Sequence, residues 1–306
     1  GSYKDSTTKI TECKEAIKEV TYLSAVSLYD AGKYNEAITA FESLGSYKDS
    51  TTKITECKEA IKEVAYLSAV SLYNAGKYKE AKAAFETIKE YKDSIIYLQN
   101  ASLKSSEVGS YIDFGEYEQD NNTSNNKESI EWQVLAKENN RFLVVSRYAL
   151  DCKEYNETDK FVTWETCTLR TWLNGSFYDN AFSSSEKAMI LSSRIANENN
   201  PQYGTARGNK TTDRVFLLSI SEAQKYFSSD YERRTEATAY AVKNGVWVYD
   251  SDSDCCLWWL RSPGYSSNRA ASVDRDGSVD YTGNYVLDVY RAVRPAMWID
   301  ISNLEP

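Results

Sequence analysis

Trp258-Trp259-Leu260-Arg261-Ser262-Pro263-Gly264 and Val293-Arg294-Pro295-Ala296-Met297-Trp298-Ile299 bracket 28 residues of a different character, Tyr265 to Ala292. The flanks are apolar and aromatic, with one Arg each, and read as buried strands over 257–262 and 293–299. Trp258 and Trp298 hold comparable places in the two flanks and are expected in one aromatic core. The middle is Tyr, Ser, Asn, Asp, Arg, Thr and Gly on a thin frame of Ala and Val, without Lys, Glu, Gln, Met or Trp. Tyr, Ser, Gly and Asn, with Arg at hot spots, dominate evolved recognition loops because they combine contact area at low entropic cost with adaptable hydrogen bonding. An exposed β-meander also depletes Lys and Glu.

The order WWLRSPG, A-x-V, G-x-V, G and VRPA resembles an uncharacterised bacterial domain family with a C-type lectin-like fold. Relatives of that family include the formylglycine-generating (sulfatase-modifying) enzymes and the variable proteins of diversity-generating retroelements. In the variable proteins, reverse transcription randomises adenines, commonly in Asn codons. A mutated AAC or AAT codon reaches Tyr, Asp, Ser, Thr, Gly, Arg, Val, Ala or Leu, and every residue from Tyr265 to Ala292 belongs to the reachable set. Carried over, the resemblance makes Gly264, Ala271, Val273, Gly277, Val279, Gly283, Val286, Val293 and Arg294 scaffold positions. Ala292 departs from the Gly usual before VRPA. Weaker likeness runs back through Trp164-Glu165-Thr166-Cys167-Thr168-Leu169-Arg170-Thr171-Trp172-Leu173-Asn174 and Ile130–Leu135, so it covers about residues 108–302.

The ligand-binding expectation follows. A non-catalytic recognition surface over 265–291 uses Tyr265, Tyr281, Tyr285 and Tyr290 as aromatic anchors. Arg269, Arg275 and Arg291 with Asp274, Asp276, Asp280 and Asp288 set charge complementarity, and Ser266, Ser267, Asn268, Ser272, Ser278 and Asn284 adapt hydrogen bonds. Alternation along a strand turns Ala271, Val273, Val279 and Val286 inward and Ser272, Asp274, Ser278 and Asp280 outward, with Tyr281, Tyr285 and Tyr290 clustered. The expected partner is a protein or glycan surface. The alternatives are a purely structural scaffold and an enzyme of the formylglycine-generating type.

Upstream, residues 1–44 and 45–88 form a tandem repeat identical at 37 of 44 positions, and a third copy starts at Tyr91-Lys92-Asp93-Ser94 before diverging. A period of this size marks stacked supersecondary units. Each reads as two helices, the first capped by Asp5 or Ser6, with an apolar face at Ile10, Cys13, Ile17, Val20 and Val26 and a left-handed stop at Gly32. The second carries Ala37, Ala40, Phe41 and Leu44. Ala-Gly-Lys-Tyr-x-Glu-Ala resembles tetratricopeptide-type repeats. Cys13 and its equivalent Cys57 are expected as small core residues, and Tyr-Lys-Asp-Ser as a helix–helix junction. The array serves as stalk or docking arm.

The chain therefore reads as multidomain, a helical-repeat array over 1–104 followed by a C-type lectin-like α+β domain over 108–302. Composition agrees, since all seven Trp and all thirteen Arg lie after residue 130. In the second domain strands are expected at 111–115, 130–136, 142–146 and 215–219, helices at 166–173, 183–191, 220–227 and 235–244, and a polar loop over 118–129. A net charge of −9 disfavours nucleic acid. No apolar run spans a membrane, and no export signal is read at Gly1, which leaves the compartment of this bacterial-type chain open between cell surface and cytoplasm.

The absence of histidine removes His-based acid–base catalysis and His metal ligands. No C-x-x-C spacing occurs, and a Cys152–Cys167 disulfide is compatible with the sequence but not required by it. Adjacent Cys255 and Cys256 do not easily converge on one substrate thiol. Asp250-x-Asp252-x-Asp254 has half of a calcium-loop spacing, but Cys255 and Arg261 stand where Gly and Glu are needed. Asp274, Asp276 and Asp280 form a weaker set. No cofactor and no metal is expected.

Overall fold

The computed structural model describes residues 2–248, 255–302 and 304. The spacing Asp250, Asp252, Asp254 lies outside them. The chain divides between Ser105 and Ser106 into two compact units.

The first unit is helical: α1 (Ser2–Asp30), α2 (Tyr34–Leu44), α3 (Ser50–Asn74), α4 (Tyr78–Glu86) and α5 (Ser94–Lys104). Two helix pairs stack, and α5 is the single helix of the diverged third copy. Gly32 and Gly76 take φ of 72° and 73°, which ends α1 and α3 without a Cβ penalty. Ala25, Ala37, Phe41 and Cys57 make one buried cluster; Ala69, Tyr73, Ala81, Phe85, Leu98 and Ala101 make the next. Cys57 is fully buried against the preceding pair. Cys13 is exposed, contrary to expectation: among the described residues no helix covers that face of α1.

Asp5 and Ser6 sit inside α1, not at its cap. In the second copy Asp49 holds the N-cap position of α3 without capping it. Its carboxylate instead accepts the Tyr22 hydroxyl at 2.5 Å, and Asp93 accepts that of Tyr66 at 2.6 Å. Tyr47 and Tyr91 donate to Glu19 and Glu63, both at 2.8 Å. Lys48 reaches Glu19 at 2.6 Å and Lys92 reaches Glu63 at 2.5 Å. Each Tyr-Lys-Asp-Ser thus ties a new repeat to the long helix before it.

The second unit opens with β1 (Tyr111–Tyr117), β2 (Glu128–Glu138), β3 (Arg141–Ser146) and β4 (Asp151–Cys152). Next come α6 (Thr168–Trp172), a π-helical turn (Leu173–Phe177), α7 (Tyr178–Ala181), α8 (Ser184–Met189), β5 (Ser193–Ile195), β6 (Thr211–Asp213) and β7 (Val215–Phe216). They are followed by α9 (Ile220–Tyr226), α10 (Asp230–Arg233), α11 (Ala239–Lys243), β8 (Trp258–Pro263), β9 (Arg269–Val273), β10 (Val279–Tyr285), β11 (Ala292–Val293) and β12 (Ala296–Asp300). Ser183 and Ser219 start α8 and α9 with full capping boxes to Glu186 and Glu222. α11 starts at Ala239, shorter than the expected 235–244, because Glu236 and Ala237 form bridges to Cys255 and Ala149.

One sheet runs β1-β2-β3-β12-β7 and a second runs β10-β9-β8-β11-β4. The expected single strand over 293–299 is two strands in two sheets. Pro295, which has no N–H to give a ladder, separates them; β11 stays beside β8 and β4, while β12 pairs with β3 from Ala296↔Val145 to Asp300↔Arg141. Trp258 and Trp298 consequently occupy different sheets. Trp258 is fully buried and Trp298 only half-buried, which corrects the expectation of a shared aromatic core.

Candidate functional site

β8, β9 and β10 form a meander that holds residues 265–285, and residues 286–291 lead from it to β11. The β8–β9 turn closes with Gly264 N–H donating to Arg269 O at 2.7 Å and Arg269 N–H to Ser266 O at 3.0 Å. Ser266 Oγ donates to Asn268 at 2.7 Å, and Ser267 O accepts Val162 N–H at 2.9 Å. The β9–β10 turn has Asp274 N–H on Ser278 O and Gly277 N–H on Asp274 O, both at 2.8 Å. Gly277 is required there: its φ is 87°, and a Cβ would stand 1.6 Å from Asp230 O. Gly283 (φ 68°) marks the register shift between β9 and β10, where a Cβ would stand 2.2 Å from Ala270 O.

Tyr265, Asp276, Tyr285 and Tyr290 are exposed. Ser266, Ser267, Asn268, Arg269, Asp274, Arg275, Ser278, Asp280, Tyr281, Asn284 and Asp288 are half-buried. Two positions depart from an outward face. Ser272 is fully buried, because Ala270, Ala271, Ser272 and Val273 are all covered and β9 has no solvent side. Arg291 is buried and pairs with Asp288 at 3.3 Å. Ala271, Val273 and Val286 turn inward, whereas Val279 is half-buried at the strand edge.

Among the described residues no ring pairing joins Tyr281, Tyr285 and Tyr290, in place of the expected cluster. Tyr265 meets Tyr203 edge-on at 6.0 Å, and the Arg269 guanidinium lies 4.0 Å from the Tyr285 ring and 5.2 Å from the Tyr265 ring. Arg269 Nη1 is anchored on Gly283 O at 2.8 Å. A second patch contains Trp247, Leu287, Val289 and Tyr290, all exposed, with Trp247 N–H donating to Tyr290 O at 3.3 Å. Arg275 lies 5.5 Å over the Trp247 ring. Tyr281 stands apart, its hydroxyl taking Gln224 Nε2 at 2.5 Å.

Tyr203, Gln224 and Trp247 were not legible as site residues. They lie outside the segment 265–291, Tyr203 and Trp247 in loops and Gln224 on α9, and only the fold brings them to it. Asn200 supports the surface from beneath, donating to Pro263 O at 2.9 Å and Tyr281 O at 2.7 Å.

Three of the four acidic residues of this face, Asp274, Asp276 and Asp280, differ in surroundings. Burial, then the Asp280 charge, raises the Asp274 carboxyl. Two bonds from Ser278 lower that of Asp276. Asp280 accepts Gly283 N–H at 3.1 Å. Among the described residues, the carboxylates that do converge are Glu118, Asp120 and Glu128, on the strand–loop edge of β1 and β2.

All six cysteines are free thiols. Burial pushes Cys152, Cys167 and Cys256 up to about 12, so these sulfurs stay protonated near neutral pH. Cys255 is buried as well. No described helix is long and apolar enough to cross a membrane.

Comparison with known proteins adds two family matches. Residues 139–301, more than half of the chain, match the family described as "Domain of unknown function (DUF6273)". Residues 19–50 and 63–94 match the tetratricopeptide repeat. No curated protein and no solved structure matches the chain.

Proposed function

The chain belongs to the DUF6273 family, and from that footing we propose that it is a non-catalytic recognition protein whose second unit presents the 265–291 face to a macromolecular ligand. The observation that carries the reading is the patch Tyr203–Tyr265–Arg269–Tyr285: two exposed rings, Tyr265 and Tyr285, against one anchored guanidinium, with a third exposed ring, Tyr203, edge-on to Tyr265. Tyr and Arg are the residues enriched where interfaces concentrate their energy. Exposed rings held in place lose little entropy when a partner covers them.

The finer reading is that this unit has a C-type lectin-like fold and that its polar turn positions are diversified by a retroelement. The composition of 265–292 supports diversification. So does the geometry, since backbone bonds and buried Ala, Val and Gly carry the meander while most polar positions reach solvent. Tetratricopeptide repeats are protein-interaction modules, which fits the first unit as stalk or docking arm. Burial of Cys255 and Cys256 weighs against a reading based on formylglycine-generating chemistry, which calls for accessible thiolates.

The test is a screen of the full chain against a glycan array and a displayed protein library, run beside a Tyr265→Ala/Tyr285→Ala variant. Ligands captured by the wild type and lost by the variant support the reading. Equal capture by both would place recognition elsewhere. Diversification is tested in the surrounding DNA: a reverse transcriptase gene with a near-copy of the segment encoding 258–299, differing at adenines, is the expected finding.

A further inference from the structure

We propose that a second, separate site lies in the cavity of about 490 Å³ lined by Tyr111, Arg147, Tyr148, Tyr231, Arg234 and Arg294, and that it takes a small ligand bearing a carboxylate or phosphate group. The argument starts from the buried arginines. Four are buried: Arg233, Arg261, Arg291 and Arg294. Arg233 pairs with Asp230, Arg261 with Glu222 and Arg291 with Asp288. Arg294 is 2% exposed and has no carboxylate partner among the described residues. Its Nε donates to Ser146 O at 2.9 Å and its Nη1 to Arg233 O at 3.2 Å, with the Phe227 and Trp258 rings 5.2 and 5.1 Å away. Nη2 has no hydrogen-bond partner among the described residues. A guanidinium taken out of water without a counter-ion carries a desolvation penalty that an anion relieves. Burial pulls the Arg294 pKa down to about 10, so the group is still charged at neutral pH.

Arg234 repeats the pattern at the rim. Its guanidinium lies 5.2 Å over the Tyr231 ring, and its Nε is buried with no hydrogen bond. No ion pair involves it among the described residues, although its charge helps to lower the Asp276 carboxyl. Arg147 differs, because Glu131 neutralises it at 2.6 Å between the Tyr111 and Tyr148 rings. The lining also includes two carboxylates. Glu232 is engaged by Ser228 N–H at 2.7 Å, and Glu236 is exposed. Two guanidinium groups without a carboxylate partner in one metabolite-sized cavity suit the oxygens of a carboxylate or phosphate. The three tyrosines give the remaining wall an aromatic character, which suits a flat apolar body behind the anionic group.

The test titrates benzoate and inorganic phosphate separately into the full chain, read by tryptophan fluorescence, to which Trp258 beside Arg294 contributes, and by thermal shift. At least one probe is expected to saturate with a Kd below about 10 mM, and Arg234→Gln is expected to weaken it about tenfold or more. Arg234→Gln removes no hydrogen bond made by the guanidinium, so the fold is retained. Arg207→Gln, outside the cavity, and the Tyr265→Ala/Tyr285→Ala variant are expected to bind the probe as the wild type does, which separates this site from the recognition face. Saturation by benzoate alone indicates a carboxylate ligand with an apolar body; saturation by phosphate alone indicates a phosphorylated one. No saturation by either probe, or undiminished binding by Arg234→Gln, overturns the proposal.

Discussion

Replacing Trp258 by Ala removes a side chain that is wholly buried in β8. A large aromatic truncated in a core costs about 3–5 kcal/mol through lost transfer energy and the cavity left behind. The Arg294 guanidinium also loses a ring at 5.1 Å, a desolvated cation–π contact of about 1–2 kcal/mol. The indole donates to Arg233 O at 3.2 Å, but that carbonyl keeps Arg294 Nη1 as a second donor, so no carbonyl is orphaned. The total is about 5 kcal/mol, comparable with the whole stability of many domains. Trp298, half-buried, is expected to cost about half as much, and Tyr285, exposed, less than about 1 kcal/mol. All seven tryptophans lie in the second unit, so fluorescence-monitored urea unfolding follows that unit without interference from the repeats. With an m value near 2 kcal/mol/M, Trp258→Ala lowers the midpoint by about 2.5 M. Equal losses at Trp258 and Tyr285 would show that the tyrosine is core and would sink the recognition-face argument.

Further outcomes follow from other contacts. Gly277→Ala is expected to destabilise the second unit by about 2–4 kcal/mol in the same assay, since both the positive φ and the closeness of Asp230 O oppose a Cβ; a neutral result would mean that α10 moves freely. A thiol-reactive dye should label one cysteine quickly in the folded chain, Cys13, and Cys13→Ser should remove that fast phase. Rapid labelling of the buried thiols would contradict their high pKa values. In the first unit, the bond from Lys92 to Glu63 and that from Tyr22 to Asp49 hold both carboxyls below their ordinary values. Their contribution is present above the unfolded carboxyl pKa and is lost as pH falls through the lower folded values. Helical circular dichroism during acid unfolding should therefore show a shallower dependence in Glu63→Gln, and an unchanged curve would remove these pairs from the account.

What could be read from residues alone depended on whether local pattern and tertiary setting agreed. The repeats were legible because their period is printed twice in near-identical residues. Strands β1, β2 and β3 were legible from their β-branched and aromatic composition. The two sides of β9 were not, because alternation reports a face only where one side meets solvent, and β9 is covered on both. Residues 293–299 have the composition of one strand, and composition cannot show that Pro295 passes the chain from one sheet to the next. Residue type makes Asp5 or Ser6 a cap; at Asp49, the equivalent of Asp5 in the second copy, a tyrosine hydroxyl from the preceding long helix claims the oxygen instead. Tyr203 and Trp247 join the candidate face only through the fold.

The place of β12 bears on how the protein is made. β12 lies between β3 and β7, so the first sheet stays open along the inner edge of β3 until Ala296–Asp300 has left the ribosome. Arg141 then waits for Asp300 across 159 residues of synthesis. Such distant pairing is slow, and an unfilled sheet edge invites other strands. The repeats, built from neighbour contacts, can be complete long before. Translation order thus separates the two units in time: neighbour-built helices come early, and a sheet whose interior strand β12 follows every other strand in the chain closes late.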